Sequence, residues 1–79
     1  MKIIRKINNY LEDKEYKIII KDKQVNIINY DEIIDFTLNK ISLRYKQKTI
    51  IIEGTELYIT KMIEDEVLIN GNIVNVRIN

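Results

Sequence analysis

Histidine, cysteine, proline and tryptophan are all missing from this 79-residue chain, and glycine occurs only twice. Without cysteine there can be no disulfide, no thiolate zinc site and no cysteine nucleophile. Without histidine the usual imidazole base and the usual transition-metal ligand are gone. Several enzyme classes are excluded on that ground alone, and the missing cysteines suit a reducing compartment. Long apolar runs are also lacking: nothing approaches the ~20 residues of a membrane-spanning helix. The opening MKIIRKINNYLED has neither the apolar stretch nor the small-residue cleavage site of a signal peptide, so the expectation is a soluble chain with no direct membrane span, not exported by that route. At this length one domain is expected. It would bury only roughly 60% of the surface its unfolded chain exposes, leaving little structure to house an elaborate active site.

What is abundant is isoleucine, at 19 residues, with nine asparagines. Net charge is +1, too small to attract nucleic acid or an anionic membrane by its overall field. The charge is nevertheless blocked along the chain. Residues 1–23 are basic, 24–39 carry only the acids Asp31, Glu32 and Asp35, 40–48 are basic through Lys40, Arg44, Lys46 and Lys48, and 49–66 are again acidic.

Ile3, Ile4, Ile7, Tyr10 and Leu11 recur at helical spacing, which predicts a short amphipathic helix over residues 1–13, ahead of a single β domain at 14–79. Asn8 and Asn9 are poor helix formers, and Glu12 and Asp13 oppose the dipole at its C-terminal end, so this helix needs docking to persist. Its stripe either covers one face or end of a sheet, or serves as a contact for a membrane surface or partner through Ile3, Ile4, Ile7 and Leu11.

From Tyr16 the period changes to two. YKIII, QVNII, EIIDFT, KISLRY, TIII, ELYITKM, EVLI and IVNVRI are short, β-branched runs with polar breaks between them. They predict an all-β fold: a small antiparallel meander of about seven to eight short strands, closing as a sandwich, roll or barrel. Stacked solenoid-like rungs are the alternative. In KISLRYKQKTIII, parity places Ile41, Leu43 and Tyr45 on one face, with a basic, solvated tip. In EVLINGNIVNVRI a two-residue loop at Asn70-Gly71 or Gly71-Asn72 would place Val67, Ile69, Val74, Val76 and Ile78 together and, in one register, Glu66 opposite Arg77. Gly54 is expected at positive φ in the preceding turn.

Chemistry-bearing patterns are sparse. Asp31, Glu32 and Asp35, and Glu64-Asp65-Glu66, lack the spacing of a calcium loop and read as solvated strand ends and turns. There is no Gly-rich phosphate loop, no nucleophile elbow and no base to activate Ser42, so no catalytic residue, metal or cofactor is expected and the chain reads as a non-enzyme. A rival function is single-stranded nucleic-acid binding by the hairpin 40–48, with Arg44, Lys46 and Lys48 beside Tyr45. Nucleic acid is nevertheless the weaker partner, because Tyr45 shares the parity of Ile41 and Leu43, and edge strands carry lysine simply to prevent aggregation.

The order of the strands carries one further signal. Asp35-Phe36 at a strand end, Ile41 to Leu43, then Ile50, Ile52 and Gly54, then Leu57, Ile59 and Met62, and finally Glu66 to Ile73 together resemble the YabP/YqfC family of sporulation proteins of endospore-forming Firmicutes. The chain departs from that pattern where the family usually has a turn glycine, at Lys21 to Lys23 and Lys46 to Lys48, and at Ile78, where the family usually has an aromatic. The resemblance implies a non-enzymatic factor made in the mother cell. It would be cytoplasmic, recruited to the forespore membrane surface by a sporulation membrane protein, and active in cortex or envelope assembly. Open strand edges would suit β-augmentation by a partner or formation of a homo-oligomer.

Overall fold

The β-branched runs do form strands. In a computed structural model, which describes residues 15–79, six of them make one antiparallel sheet. They are β1 (Lys17–Lys21), β2 (Gln24–Ile28), β3 (Glu32–Phe36), β4 (Lys40–Tyr45), β5 (Lys48–Ile63) and β6 (Glu66–Ile78), in the spatial order β1-β2-β6-β5-β4-β3. No helix occurs among the described residues, and the helix expected over residues 1–13 lies outside them. Neighbouring strands run antiparallel throughout, which excludes stacked parallel rungs.

The strand count is six rather than seven to eight because two expected turns are not turns. TIII and ELYITKM are one 16-residue strand, and EVLI and IVNVRI are one 13-residue strand. The stretch Asn70-Gly71-Asn72 sits inside β6, where Asn70 pairs with Tyr58 and Asn72 with Thr55. Gly54 pairs with Ile73 in the interior of β5 and does not have positive φ. The chain reverses instead at Glu64-Asp65, between β5 and β6. Consequently Glu66 is not opposite Arg77: its cross-strand neighbour is Ile63, and Arg77 lies beside Ile51. Val74 is also not on the core face. It is skipped by the ladder between Glu53/Asn75 and Gly54/Ile73 and stands 77% exposed.

The β5–β6 hairpin is bent by register shifts at Glu53/Gly54, Thr55/Tyr58 and Ile59/Lys61. Such bulges add local twist and let a strand fold over without ending its pairing. The glycines explain why the bend sits there. Gly71 takes φ 137°, and a Cβ on it would lie 2.7 Å from the Glu56 carbonyl oxygen. A Cβ on Gly54 would collide with the carbonyl oxygen of Asn72. Both glycines permit a backbone approach that a side chain would forbid.

Topology shows how far the hairpin folds. A straight strand from Thr49 to Asp65 would span about 50 Å. Yet the Asn29 amide donates to the Asp65 carbonyl at 2.6 Å and the Asp31 amide to the Arg44 carbonyl at 2.7 Å, while Arg44 lies beside Thr49 in register. Two residues of chain bridge about 7 Å. The two ends of the hairpin are therefore brought close together, and the sheet curls over its own apolar face. The rings of Tyr16, before β1, and Tyr45, at the end of β4, meet across this closure at 4.8 Å between centroids.

Inside the curl, Val25, Ile27, Ile41, Leu43, Tyr45, Ile50, Ile52, Leu57, Val67 and Ile69 form one buried cluster. The β4–β5 hairpin has the expected parity, with Ile41, Leu43 and Tyr45 facing inward. Hydrophobic burial of this kind, at about 25 cal/mol per Å², supplies most of the driving force for a domain so small.

Candidate interaction surfaces

Lys46-Gln47 forms the two-residue turn of the β4–β5 hairpin, with Lys46 at φ 55°. Arg44, Lys46 and Lys48 are all exposed there, as expected, but the structure does not aim them at one ligand. Arg44 Nε pairs with Glu32 Oε2 at 3.2 Å on the neighbouring strand. The Lys46 amide donates to Asp31 Oδ2 at 2.6 Å, and the Lys46 ammonium lies 5.5 Å from the Tyr45 ring centre. The Lys48 ammonium sits at the same distance from the Tyr16 ring. Tyr45 itself is 7% exposed and packed in the core, so it is closed to base stacking. A single-strand groove needs exposed aromatic faces beside uncompensated cations. Here the aromatic is buried and Arg44 is neutralised by its cross-strand neighbour.

Of the acids singled out in the sequence, Asp31, Glu32, Asp35 and Glu66 are likewise spent on local partners. Asp31 caps the hairpin turn, Glu32 holds Arg44, and Asp35 Oδ2 lies 3.7 Å from Lys40 Nζ. Glu66 accepts from Asn26 Nδ2 at 2.9 Å and lies 3.8 Å from Lys61. Among the described residues no three acids converge on a point where a cation could sit. Sequence reading missed the best-formed ion pair, between Glu53 and Arg77, because it placed a turn at Asn70-Gly71-Asn72 and set Glu66 opposite Arg77. Arg77 Nε and Nη2 donate to the two Glu53 oxygens at 3.3 and 3.2 Å, and Asn75 Nδ2 donates to Oε1 at 3.1 Å. The hydrogen bonds from Arg77, and then from Asn75, hold the Glu53 carboxyl below its ordinary value. Tyr30 shifts the other way: burial, and then the negative charge of Asp65, raise its phenol.

A groove of about 510 Å³ runs between the β1–β2 turn and the bend of the long hairpin, lined by Lys21, Asp22, Lys23, Glu56, Tyr58 and Asn70 among others. The residues that line it are mostly polar or charged, unlike those of the apolar clefts that bury small ligands. The sheet ends in two strand edges, β1 and β3, which the sequence shows only as the runs KIIIK and EIIDF. Large apolar side chains are exposed on or beside them: Ile20 at 60%, Phe36 at 53% and Leu38 at 66%. The predicted contacts Ile3, Ile4, Ile7 and Leu11 fall outside the described residues.

The succession of strands that this geometry explains is also a family signature: a model of the YabP family matches residues 12–79. The chain belongs to that family. In this YabP-family chain the matched region takes in all six strands, so the family pattern describes the whole curled sheet rather than one motif within it. Neither the curated proteins nor the solved structures offer a match. No helix among the described residues is long and apolar enough to cross a membrane.

Proposed function

We propose that this chain is a non-enzymatic sporulation factor that works by binding protein, in the mother-cell cytoplasm, with a sporulation membrane protein as its partner at the forespore surface. Membership of the YabP family over residues 12–79 carries the reading. It is supported by where the sheet leaves apolar surface uncovered: Ile20, Ile34 and Phe36 lie on its two edge strands, where an extended segment of a partner can add main-chain hydrogen bonds. Acids tied to Lys40, Arg44 and Arg77 give a ligand or substrate little to engage.

The test is deletion of the gene in its spore-forming host, with heat-resistant spores counted. The expected result is a sporulation defect, and an unchanged spore yield refutes the reading. Partner binding is tested by co-purification with the membrane proteins made by the sporulating host, using the whole chain and a chain lacking residues 1–13. Loss of the partner from a shortened chain that still folds assigns the contact to the Ile3, Ile4, Ile7, Leu11 stripe. Retention assigns it to the sheet.

A further inference from the structure

The two edges of the sheet carry opposite charge on the same face. In β1, register pairs Ile18 with Ile27 and Ile20 with Val25, so these two isoleucines take the core side and Lys17, Ile19 and Lys21 the outer side. In β3, Ile33 pairs with Leu43 and Phe36 with Ile41, so they take the core side, while Glu32 and Asp35 take the outer side opposite Arg44 and Ser42. Each edge is thus apolar toward the core, and outward it carries two lysines around Ile19 at one end of the sheet and two acids at the other. Among the described residues, Lys17 and Lys21 have no ion-pair partner, and the pairs that Glu32 and Asp35 make with β4 are half-exposed and weak.

We propose that copies of this chain join head to tail, β1 of one beside β3 of the next, so that the sheet continues from molecule to molecule. With Ile18 and Ile20 against Ile33 and Phe36, that junction sets one of the two lysines opposite Glu32 and places Asp35 opposite Ile19, diagonal to Lys17 and Lys21. The like-with-like alternatives fail on charge: β1 on β1 puts lysine against lysine, and β3 on β3 puts acid against acid. Lysine on an edge normally blunts strand pairing, but here the repulsion acts only between copies of the same edge and selects the unlike one. Because the two surfaces differ, the contact is heterologous and builds a closed ring or an open filament according to the rotation it imposes. Each strand is five residues long, and the bulge at Ile34 shortens the ladder β3 can offer, so a single junction is small and assembly is concentration-dependent. The inference concerns a second copy of this chain and does not depend on the partner proposed above.

Sedimentation velocity of the full chain over a range of concentrations and salt tests it, with far-UV circular dichroism confirming that each variant folds. The native chain is expected to form species larger than a monomer, and added salt to weaken them. Lys17→Glu with Lys21→Glu, or Glu32→Lys with Asp35→Lys, should each weaken assembly at least tenfold. An equimolar mixture of the two variants should recover it, because each then meets an edge of opposite sign. Should lysines at 32 and 35 unfold the sheet, Glu32→Gln with Asp35→Asn replaces them. Added to the Lys17→Glu/Lys21→Glu chain, that pair should restore part of the lost association. A native chain that stays monomeric at every concentration overturns the proposal. So does assembly indifferent to either charge reversal, which would place the contact elsewhere, or a failure of the complementary variants to rescue one another.

Discussion

At the scale of single residues, the two glycines and the positive-φ lysines decide most of what is unusual here. Gly54 lies in a strand, yet a Cβ on it would strike the Asn72 carbonyl oxygen and stand 3.0 Å from the Ile73 Cα. Both are backbone and cannot swing aside. Gly54→Ala is therefore expected to cost about 3 kcal/mol, read as a lower urea midpoint with an unchanged slope. Lys23 presents the reverse case: it occupies φ 61° in the β1–β2 turn, a conformation that strains an L side chain. Lys23→Gly should raise stability by about 0.5–1 kcal/mol, since relief of that strain outweighs glycine's extra entropy in the unfolded chain, and the melting temperature should rise by about 2–8 °C. This turn and Lys46-Gln47, where Lys46 also has positive φ, were both recognisable from polar residues between apolar runs although neither contains glycine. Glycine itself misled, because a bend in a paired strand and a hairpin turn ask the same conformational freedom of it.

Within the elements, parity was readable wherever the ladder is regular and failed where it shifts. Ile41, Leu43 and Tyr45 face the core as alternation requires, whereas the run Val67, Ile69, Val74, Val76 and Ile78 was broken by the skipped residue Val74. One bulge reverses the parity of everything beyond it, and no local pattern in GNIVNV announces which residue will be skipped. The turn expected at Asn70-Gly71-Asn72 hid the pairing of Glu53 with Arg77 and Asn75 across β5 and β6. That arrangement has a pH signature. Hydrogen bonds from Arg77 and Asn75 lower the folded-state value of Glu53 beneath the ordinary 4.5. Its contribution is therefore fully present above 4.5 and is lost as pH falls through the lower folded value. Glu53→Gln should remove that part of the acid dependence by lowering stability at neutral and alkaline pH while leaving the acid end little changed, as followed by urea unfolding at a series of pH values. Among candidate contacts, the basic hairpin was legible but its neutralisation was not, because Glu32 and Asp31 reach it only after β3 pairs with β4. The expected result with single-stranded oligonucleotides at low salt is no mobility shift, either for the native chain or for Lys48→Ala.

For the molecule as a whole, the order β1-β2-β6-β5-β4-β3 separates local from distant pairing and so sets the course of folding. β3 to β6 are joined through successive hairpins, each closing a short loop, whereas β2 reaches β6 only through Gln24 opposite Asn70 and its neighbours, across most of the chain. Closing long loops is entropically costly and is rewarded late. The meander β3–β6 is thus expected to form the nucleus, with the β1–β2 hairpin docking afterwards to complete the curl. Ile50 and Ile27 are both fully buried, and replacing either by valine should cost about 1 kcal/mol. The kinetic consequence differs: Ile50→Val should chiefly slow folding, while Ile27→Val should chiefly speed unfolding. Stopped-flow chevrons of the two variants distinguish this order from its reverse, in which Ile27→Val would be the slow folder. The absence of proline sharpens the measurement, since no prolyl isomerisation can add a phase of tens of seconds. A slow phase that depends on protein concentration would then report the joining of β1 of one copy to β3 of another, and diluting the chain should abolish it.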